Sequence, residues 1–558
     1  MESVPQRKCG PKPSSFHSLL GIIHASGTHF WSSFLHGLKF SEFQSQPKSW
    51  LAIETAAQNG HLVVVEWLYA NCKARRKTDR LKRKVHLAIE KAAENGHLSV
   101  VEWLHANGFK SSTAAMDRAV ERGHLIVVEW LHANRFEGCT TEAVHSAIRK
   151  GNLTILEWLY TNRLEDCLCA NNDKPLINAA ARYDHFSLVE WLHAHRHGNC
   201  SVKAMNSAAR NGNLPLLNWL HINRSEGCSS QAMDKAAAKG HLHVIEWLHA
   251  NRTEGCSSQA MDKAAEKGHL HVVEWLHSNR SEGCTTNAMD QAADKGHLHV
   301  VEWLHENRSE GCTEAAMSSA AMGGLLPIVI WLHENRTEGT NGFAMDLTSS
   351  LGHLNVVEWL SANRAEEFCT EEAMDGAARH GHLSVVEWLH ANRAEGCTTE
   401  AMDEAAEKGQ LHVVEWLHSN RSEGCTTNAM DQAADKGHLH VVEWLHENRS
   451  EGCTEAAMSS AAMGGLLPIV IWLHENRTEG TNGFAMDLTS SLGHLNVVEW
   501  LSANRAEEFC TEEAMDGAAR HGHLSVVEWL HANRAEGCTT EAMDEAAEKG
   551  QLHVVEWL

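Results

Sequence analysis

The stretch Cys397-Thr-Thr-Glu-Ala-Met-Asp-Glu-Ala-Ala-Glu-Lys-Gly-Gln-Leu-His-Val-Val-Glu-Trp-Leu-His-Ser-Asn-Arg-Ser-Glu-Gly424 recurs with small changes along most of the chain. Its tryptophan sets the interval: Trp219, Trp247, Trp275, Trp303, Trp331 and Trp359 follow one another at 28 residues. The stretch reads as two short helices. Thr398 or Thr399 is placed to cap the first, and Glu400 suits the positive end of its dipole. Ala401, Met402, Ala405 and Ala406 give that helix an apolar face of mostly small side chains, over which a neighbouring helix approaches closely. Gly409 stands where a left-handed residue ends a helix. Leu411, Val413, Val414 and Leu417 then fall at helical spacings with Trp416 beside them, and Asn420 and Gly424 supply the exit turn. Neither helix is long enough to hold alone. Each pair must bury its apolar face against the next, which predicts an all-α stack of about 18 helix-turn-helix units counted by tryptophan.

Composition agrees with one pattern copied many times. The 558 residues hold 20 Trp against 3 Tyr, 41 His and only 8 Pro. A formal net charge of −24 argues against a general binder of phosphate backbones or acidic membranes. No apolar run reaches the roughly 18 residues that a membrane-spanning helix needs. Arg7, Lys8 and Lys12 precede a short apolar run, Leu19 to Ile23, that is flanked by His17 and His24 and followed by no small-residue cleavage site. Secretion is not expected. The Asn-Arg-Ser and Asn-Arg-Thr sequons at Asn223, Asn251 and Asn279 are then simply part of the repeat. The expected location is cytoplasmic, with a nuclear alternative.

The core Ala405-Ala406-x-x-Gly409-x-Leu411-x-Val413-Val414-x-x-Leu417 resembles the ankyrin repeat, and most units keep the His of Gly-His-Leu, as at Gly268-His269-Leu270. Two departures stand out. The period is 28 instead of the 33 usual in that family, and the family's Thr-Pro-Leu-His opening is replaced by x-Ala-Met-Asp. One unit bridges the difference: Trp158 and Trp191 are 33 apart, and Pro175-Leu176-Ile177-Asn178-Ala179-Ala180 restores Pro-Leu-x-x-Ala-Ala. The resemblance covers residues 50–558 and implies a solenoid that binds other proteins. The five residues lost per unit are expected to come from the projecting β-hairpin, which leaves a nearly all-helical array with reduced hairpins and weakens any transfer of the family's usual binding face.

Irregularities mark where the units differ. Residues 1–49 lack the repeat and are rich in aromatics (Phe16, Phe30, Trp31, Phe34, Phe40, Phe43), as a terminal cap or a helix that docks a partner would be. Between Trp67 and Trp103 an insert carries Lys73, Arg75, Arg76, Lys77, Arg80, Lys82, Arg83 and Lys84, which reads either as a solvated loop or as a nuclear-import or anion contact. The unit 312–339 has Ile330 where Glu is usual, so Met322, Leu325 and Ile330 form a candidate partner surface. Residues 270–417 recur verbatim as 411–558, an offset of 141 that spans five units. Such identity predicts a recent duplication or an assembly artefact, and the stop at Trp557-Leu558, inside a second helix, predicts a truncated chain.

Repetition also bounds the chemistry. The cysteines from Cys139 to Cys538 recur roughly once per unit, but helices stacked about 8–10 Å apart hold Cα atoms too far apart for a ladder of disulfides. They are expected as small apolar fillers. His412 and His418 recur in register, and columns stepped by such a distance cannot converge on one metal. Trp275 followed by Arg280 hints at a base-stacking platform, which Glu246, Glu274 and Glu302 oppose by lining it with negative charge. Phosphate-binding, dinucleotide and nucleophile-elbow motifs are lacking. No enzyme, no cofactor and no nucleic acid are expected. The expected function is a monomeric scaffold or adaptor for an unidentified protein partner. Alternatives are an architectural spacer, or a nucleus-directed factor that uses the basic insert.

Overall fold

A computed structural model describes residues 49–73, 87–163, 175–195, 199–340, 342–364, 369–481, 483–505 and 509–558. They form 36 helices and, among the described residues, no strand. The helices fall into eighteen pairs, one for each repeat tryptophan from Trp67 to Trp557. The chain divides into two compact units, residues 1–260 with Trp275–Glu282, and Met261–Glu274 with Gly283–Leu558. Within each, successive pairs stack first helix on first helix and second on second.

One pair shows why the sequence folds this way. Its helices are Glu400–Glu407 and Leu411–Asn420. Between them Gly409 sits at φ +73°, its amide donates to the Ala406 carbonyl, and the Gln410 amide donates to the Ala405 carbonyl. This closure satisfies carbonyls that a helix end otherwise leaves unpaired. Ala405, Ala406, Val413 and Val414 are wholly buried, and Met402 and Leu417 nearly so. Burial of each larger aliphatic side chain contributes about 1.5–3 kcal/mol. Leu411 and Trp416 remain half-buried at the edge of this core.

Only Arg421 to Thr426 separate the pair from the next helix, Thr427–Lys436. The shortening expected of the hairpin is seen here as a bare turn. In the longer unit Pro175 precedes the helix Leu176–Arg182 as its N-cap, so the Pro-Leu opening starts a helix there.

Three bonding patterns recur between successive pairs within each unit. In the first, Thr398 caps its helix by accepting from the Glu400 amide at 3.0 Å. Thr398 is itself gripped from the preceding pair: its amide and hydroxyl donate to the two carboxylate oxygens of Asp375 at 2.9 and 2.7 Å. The same clamp recurs at Asp403 with Thr426 and Asp431 with Thr454, and in the other compact unit at Asp234 with Ser257. In two earlier pairs an amide does this work, Asn178 with Ser201 and Asn206 with Ser229. Burial pushes the Asp375 carboxyl up, and the two Thr398 bonds pull it back.

In the second pattern, the imidazole of Gly-His-Leu lies against the turn glycine of the preceding pair. A Cβ on Gly409 would stand 2.7 Å from the His438 ring. Burial first, then the neighbouring His440, holds His438 below the usual histidine range.

In the third, most tryptophans meet the preceding pair's histidine edge-on, as Trp416 meets His390 at 5.3 Å and 85° between rings. Tyr69 and Tyr160 take that place against Trp103 and Trp191, and Ser361 and Ser502 stand there before Trp388 and Trp529. Arg421 reaches the same His390 at 3.2 Å and pairs with Glu423. Trp275 and His249 repeat the contact at 5.3 Å. The tryptophans therefore serve packing between repeats.

Candidate interaction surface

Side chains that make these three patterns are committed to neighbouring pairs, so a binding site has to come from what departs from them. The largest departure lies on the helix Ala344–Ser350 and the two residues that bracket it. Phe343 is 60% exposed, Leu347 42% and Leu351 50%. The corresponding positions elsewhere hold Glu400, Glu404 and Lys408, or Gln259, Lys263 and Lys267. Residues at i, i+4 and i+8 share one helix face. A stripe of polar and charged side chains in the ordinary units is here a stripe of large apolar side chains. The duplication repeats it at Phe484, Leu488 and Leu492, exposed to 62%, 42% and 49%.

The neighbouring first helices frame the stripe. On one side Glu314–Met322 carries Ala315, Ser319 and Gly323 in the same register, a lane of small side chains. On the other, Glu371–Arg379 carries Glu372, the buried Gly376 and then His380. A Cβ on Gly376 would fall 2.9 Å from the Ser350 Cβ, so these two helices approach unusually closely. Exposed carboxylates stand at the Phe343 end on both sides, Glu314 on one and Glu371 and Glu372 on the other. Arg379 is shared between Glu404 at 2.5 Å and Glu372 at 3.9 Å, and in the copy Arg520 lies 2.5 Å from Glu545 and 3.5 Å from Glu513.

The same helix is weak inside. Thr348 and Ser349 replace the Ala-Ala of the ordinary units, are wholly buried, and have hydroxyls without a hydrogen-bond partner. Thr489 and Ser490 repeat this. An unsatisfied buried hydroxyl costs about 1–3 kcal/mol.

The residues singled out from sequence lie close to this surface or outside the described chain. Met322, Leu325 and Ile330 are all half-buried. Leu325 takes the place of the cradle histidine: a Cβ on Gly296 would meet it at 3.6 Å, and one on Gly323 at 3.3 Å. Of the basic insert, Lys73 ends the helix Leu62–Lys73, while Arg75, Arg76, Lys77, Arg80, Lys82, Arg83 and Lys84 lie outside the described residues, as does the segment 1–48. Sequence reasoning passed over Phe343, Leu347 and Leu351, although unit-by-unit alignment against Glu400, Glu404 and Lys408 carried the signal.

The described cysteines from Cys200 to Cys538 form no disulfide. Burial and the nearby Glu423 push the Cys397 thiol up to about 11, with Arg421 opposing, so it stays protonated and unreactive near neutrality. Among the described residues no group of three His, Cys, Asp or Glu is placed to hold a metal ion, and no helix is long and apolar enough to cross a membrane.

Comparison with known proteins agrees with the repeat. The family model described as ankyrin repeats (many copies) matches residues 205–249, 233–277, 261–305, 374–418, 402–446 and 515–558, and the model described as ankyrin repeats (3 copies) matches 85–170. No curated protein matches. Among solved structures, the pentatricopeptide repeat protein PPR10 from maize is 11% identical, with 97% of this chain and 96% of that chain covered and a TM-score of 0.29. The same protein in complex with an 18-nt psaJ RNA element gives 10%, 97%, 93% and 0.35. Likeness at those scores has no bearing on what this chain binds. The two ankyrin models together span more than half of the sequence, and the chain belongs to the ankyrin-repeat family.

Proposed function

We propose that this protein is a non-catalytic scaffold or adaptor that binds another protein through the apolar stripe of Phe343, Leu347 and Leu351 and its copy. The observation that carries this reading is the substitution of charge by exposed aromatic and aliphatic side chains on one helix face. Large apolar side chains exposed together mark interaction surfaces more often than isolated ones do. Met322, Leu325 and Ile330 extend the uncharged region on the preceding pair. Nucleic acid is not the partner we expect, because the tryptophans are turned onto histidines and the flanking carboxylates repel phosphate.

Two other readings keep a specific observation behind them. The uniform inter-pair bonding suits an architectural spacer, and the run from Lys73 to Lys84 suits nuclear import of a protein otherwise cytoplasmic. Affinity capture with the whole chain, set against a variant in which Phe343, Leu347 and Leu351 become Glu, Glu and Lys and the copy is changed likewise, separates the first two. Loss of specific partners supports the scaffold. An unchanged partner set removes the stripe from the account. A fusion of residues 60–100 that stays cytosolic removes the nuclear reading.

A further inference from the structure

We infer that the two stripes act together as a bivalent dock for a partner protein that presents, twice, an amphipathic helix flanked by Lys or Arg. The inference rests on the scaffold reading and adds to it the partner's form, charge and valency.

The form follows from the relief of the surface. Phe343, Leu347 and Leu351 make a ridge about 12 Å long, at 1.5 Å per helical residue. Beside it runs the low lane of Ala315, Ser319 and Gly323. A ridge next to a groove on a helical surface is what a further helix packs against, its own apolar ridge entering the lane. The charge follows from Glu314 and Glu371, exposed at the Phe343 end, and from Glu455 and Glu512 at the copy, while Glu372 and Glu513 are partly offset by Arg379 at 3.9 Å and Arg520 at 3.5 Å. A helix with basic residues at that end is attracted. A second copy of this chain is not, since it would bring the same carboxylates face to face in a chain of net charge −24.

Valency follows from repetition and size. The stripes are identical, lie in one compact unit and are five repeats apart. At about 8–10 Å per stacked helix they stand about 40–50 Å apart along the stack. Three side chains offer far less than the roughly 1,200–2,000 Å² that a stable interface buries. One stripe therefore binds weakly, and two at a fixed interval convert the second event into an intramolecular one.

The test uses the full chain and a fluorescent synthetic helix with Leu at i, i+4 and i+8 and Lys at its flanks. It is compared with a Glu-flanked version, and with two Lys-flanked copies joined by a Gly/Ser linker of about 65 residues, whose mean span matches the interval. Two single peptides are expected to bind per chain, and the joined pair to bind at least about tenfold more tightly. Restoring one stripe to the ordinary pattern (F343E, L347E, L351K) should abolish that gain and leave one site. Restoring F484E, L488E and L492K as well should abolish binding. These variants place residues that folded units already carry. Two sites with no gain on joining would overturn bivalency and leave the scaffold reading standing. A Glu-flanked peptide that binds equally well would overturn the charge assignment. Failure of the single peptide to bind, or binding that survives restoration of both stripes, would overturn the stripe itself.

Discussion

The pair built on Glu400–Glu407 and the pair built on Ala344–Ser350 use nearly the same backbone and differ in where they put their polar atoms. The first buries Ala405 and Ala406 and exposes Glu400 and Lys408, with Glu404 half-buried on Arg379. The second buries the hydroxyls of Thr348 and Ser349 and exposes Phe343, Leu347 and Leu351. Both keep the inter-pair clamp: Asp346 holds Thr370 through its amide at 3.0 Å and its hydroxyl at 2.8 Å, as Asp403 holds Thr426. A repeat can thus give up internal stability and surface charge while its neighbours hold it in register. In a stack governed by nearest-neighbour contacts, the loss stays local.

The contrast breaks most readily at the turns. Gly409→Ala is expected to cost about 2–3 kcal/mol, because its φ of +73° disfavours any side chain and the new Cβ meets His438. Urea unfolding measures it. A loss below 0.5 kcal/mol would show that the cradle is loose. Next comes the clamp. Asp375→Ala strips the Thr398 amide and hydroxyl of their acceptors and should cost about 1–3 kcal/mol. Asp375→Asn should recover most of that, since Asn178 and Asn206 already serve in the earlier pairs.

A gain of about 1–3 kcal/mol is expected when Thr348 and Ser349 are both changed to Ala, which restores the ordinary pattern: two unsatisfied hydroxyls are removed, and the space left by the Thr348 methyl offsets part of that gain. Thermal unfolding of the variant reports it, and no change would mean that the hydroxyls find partners in solution.

The smallest expected effect is a pH dependence. His297, His382, His438 and His523 are all held below the usual histidine range, by burial first and then by a neighbouring histidine. A depressed histidine binds fewer protons folded than unfolded, so its stabilisation is complete above about 6.5 and is lost as pH falls through the lowered value. Denaturant midpoints should therefore decline between pH 7 and about 5. A flat profile would mean that these rings protonate in place. Burial raises the Asp375 and Asp403 carboxyls instead, so their protonation relieves a cost as pH falls and works against the histidine loss.

Much of this architecture was legible in one 28-residue copy. Apolar spacing gave the two helices, Gly409 the turn, and the missing residues the bare loop in place of a hairpin. That the tryptophans form no base-stacking platform was readable from the Glu that precedes each, as at Glu246, Glu274 and Glu302. The partner of the Trp416 ring, His390 in the preceding pair, was not, because it is a contact across repeats. Asp403 was hidden for the same reason: within its own helix it is an exposed-looking acid, and only the neighbour's Thr426 explains its burial. The stripe escaped a reading that sought departures in the loops and in Ile330, whereas it lies in three ordinary-looking apolar residues that matter only against the charges they displace.

Hydrogen exchange on the intact chain tests the central claim most directly, that the helix bearing the stripe and its copy are locally weaker than the ordinary first helices. Amides of Ala344–Ser350 and Ala485–Ser491 are expected to exchange faster than those of Glu400–Glu407, in both copies alike, since local opening follows local stability. Equal or slower exchange in the two Thr-Ser helices would contradict the account.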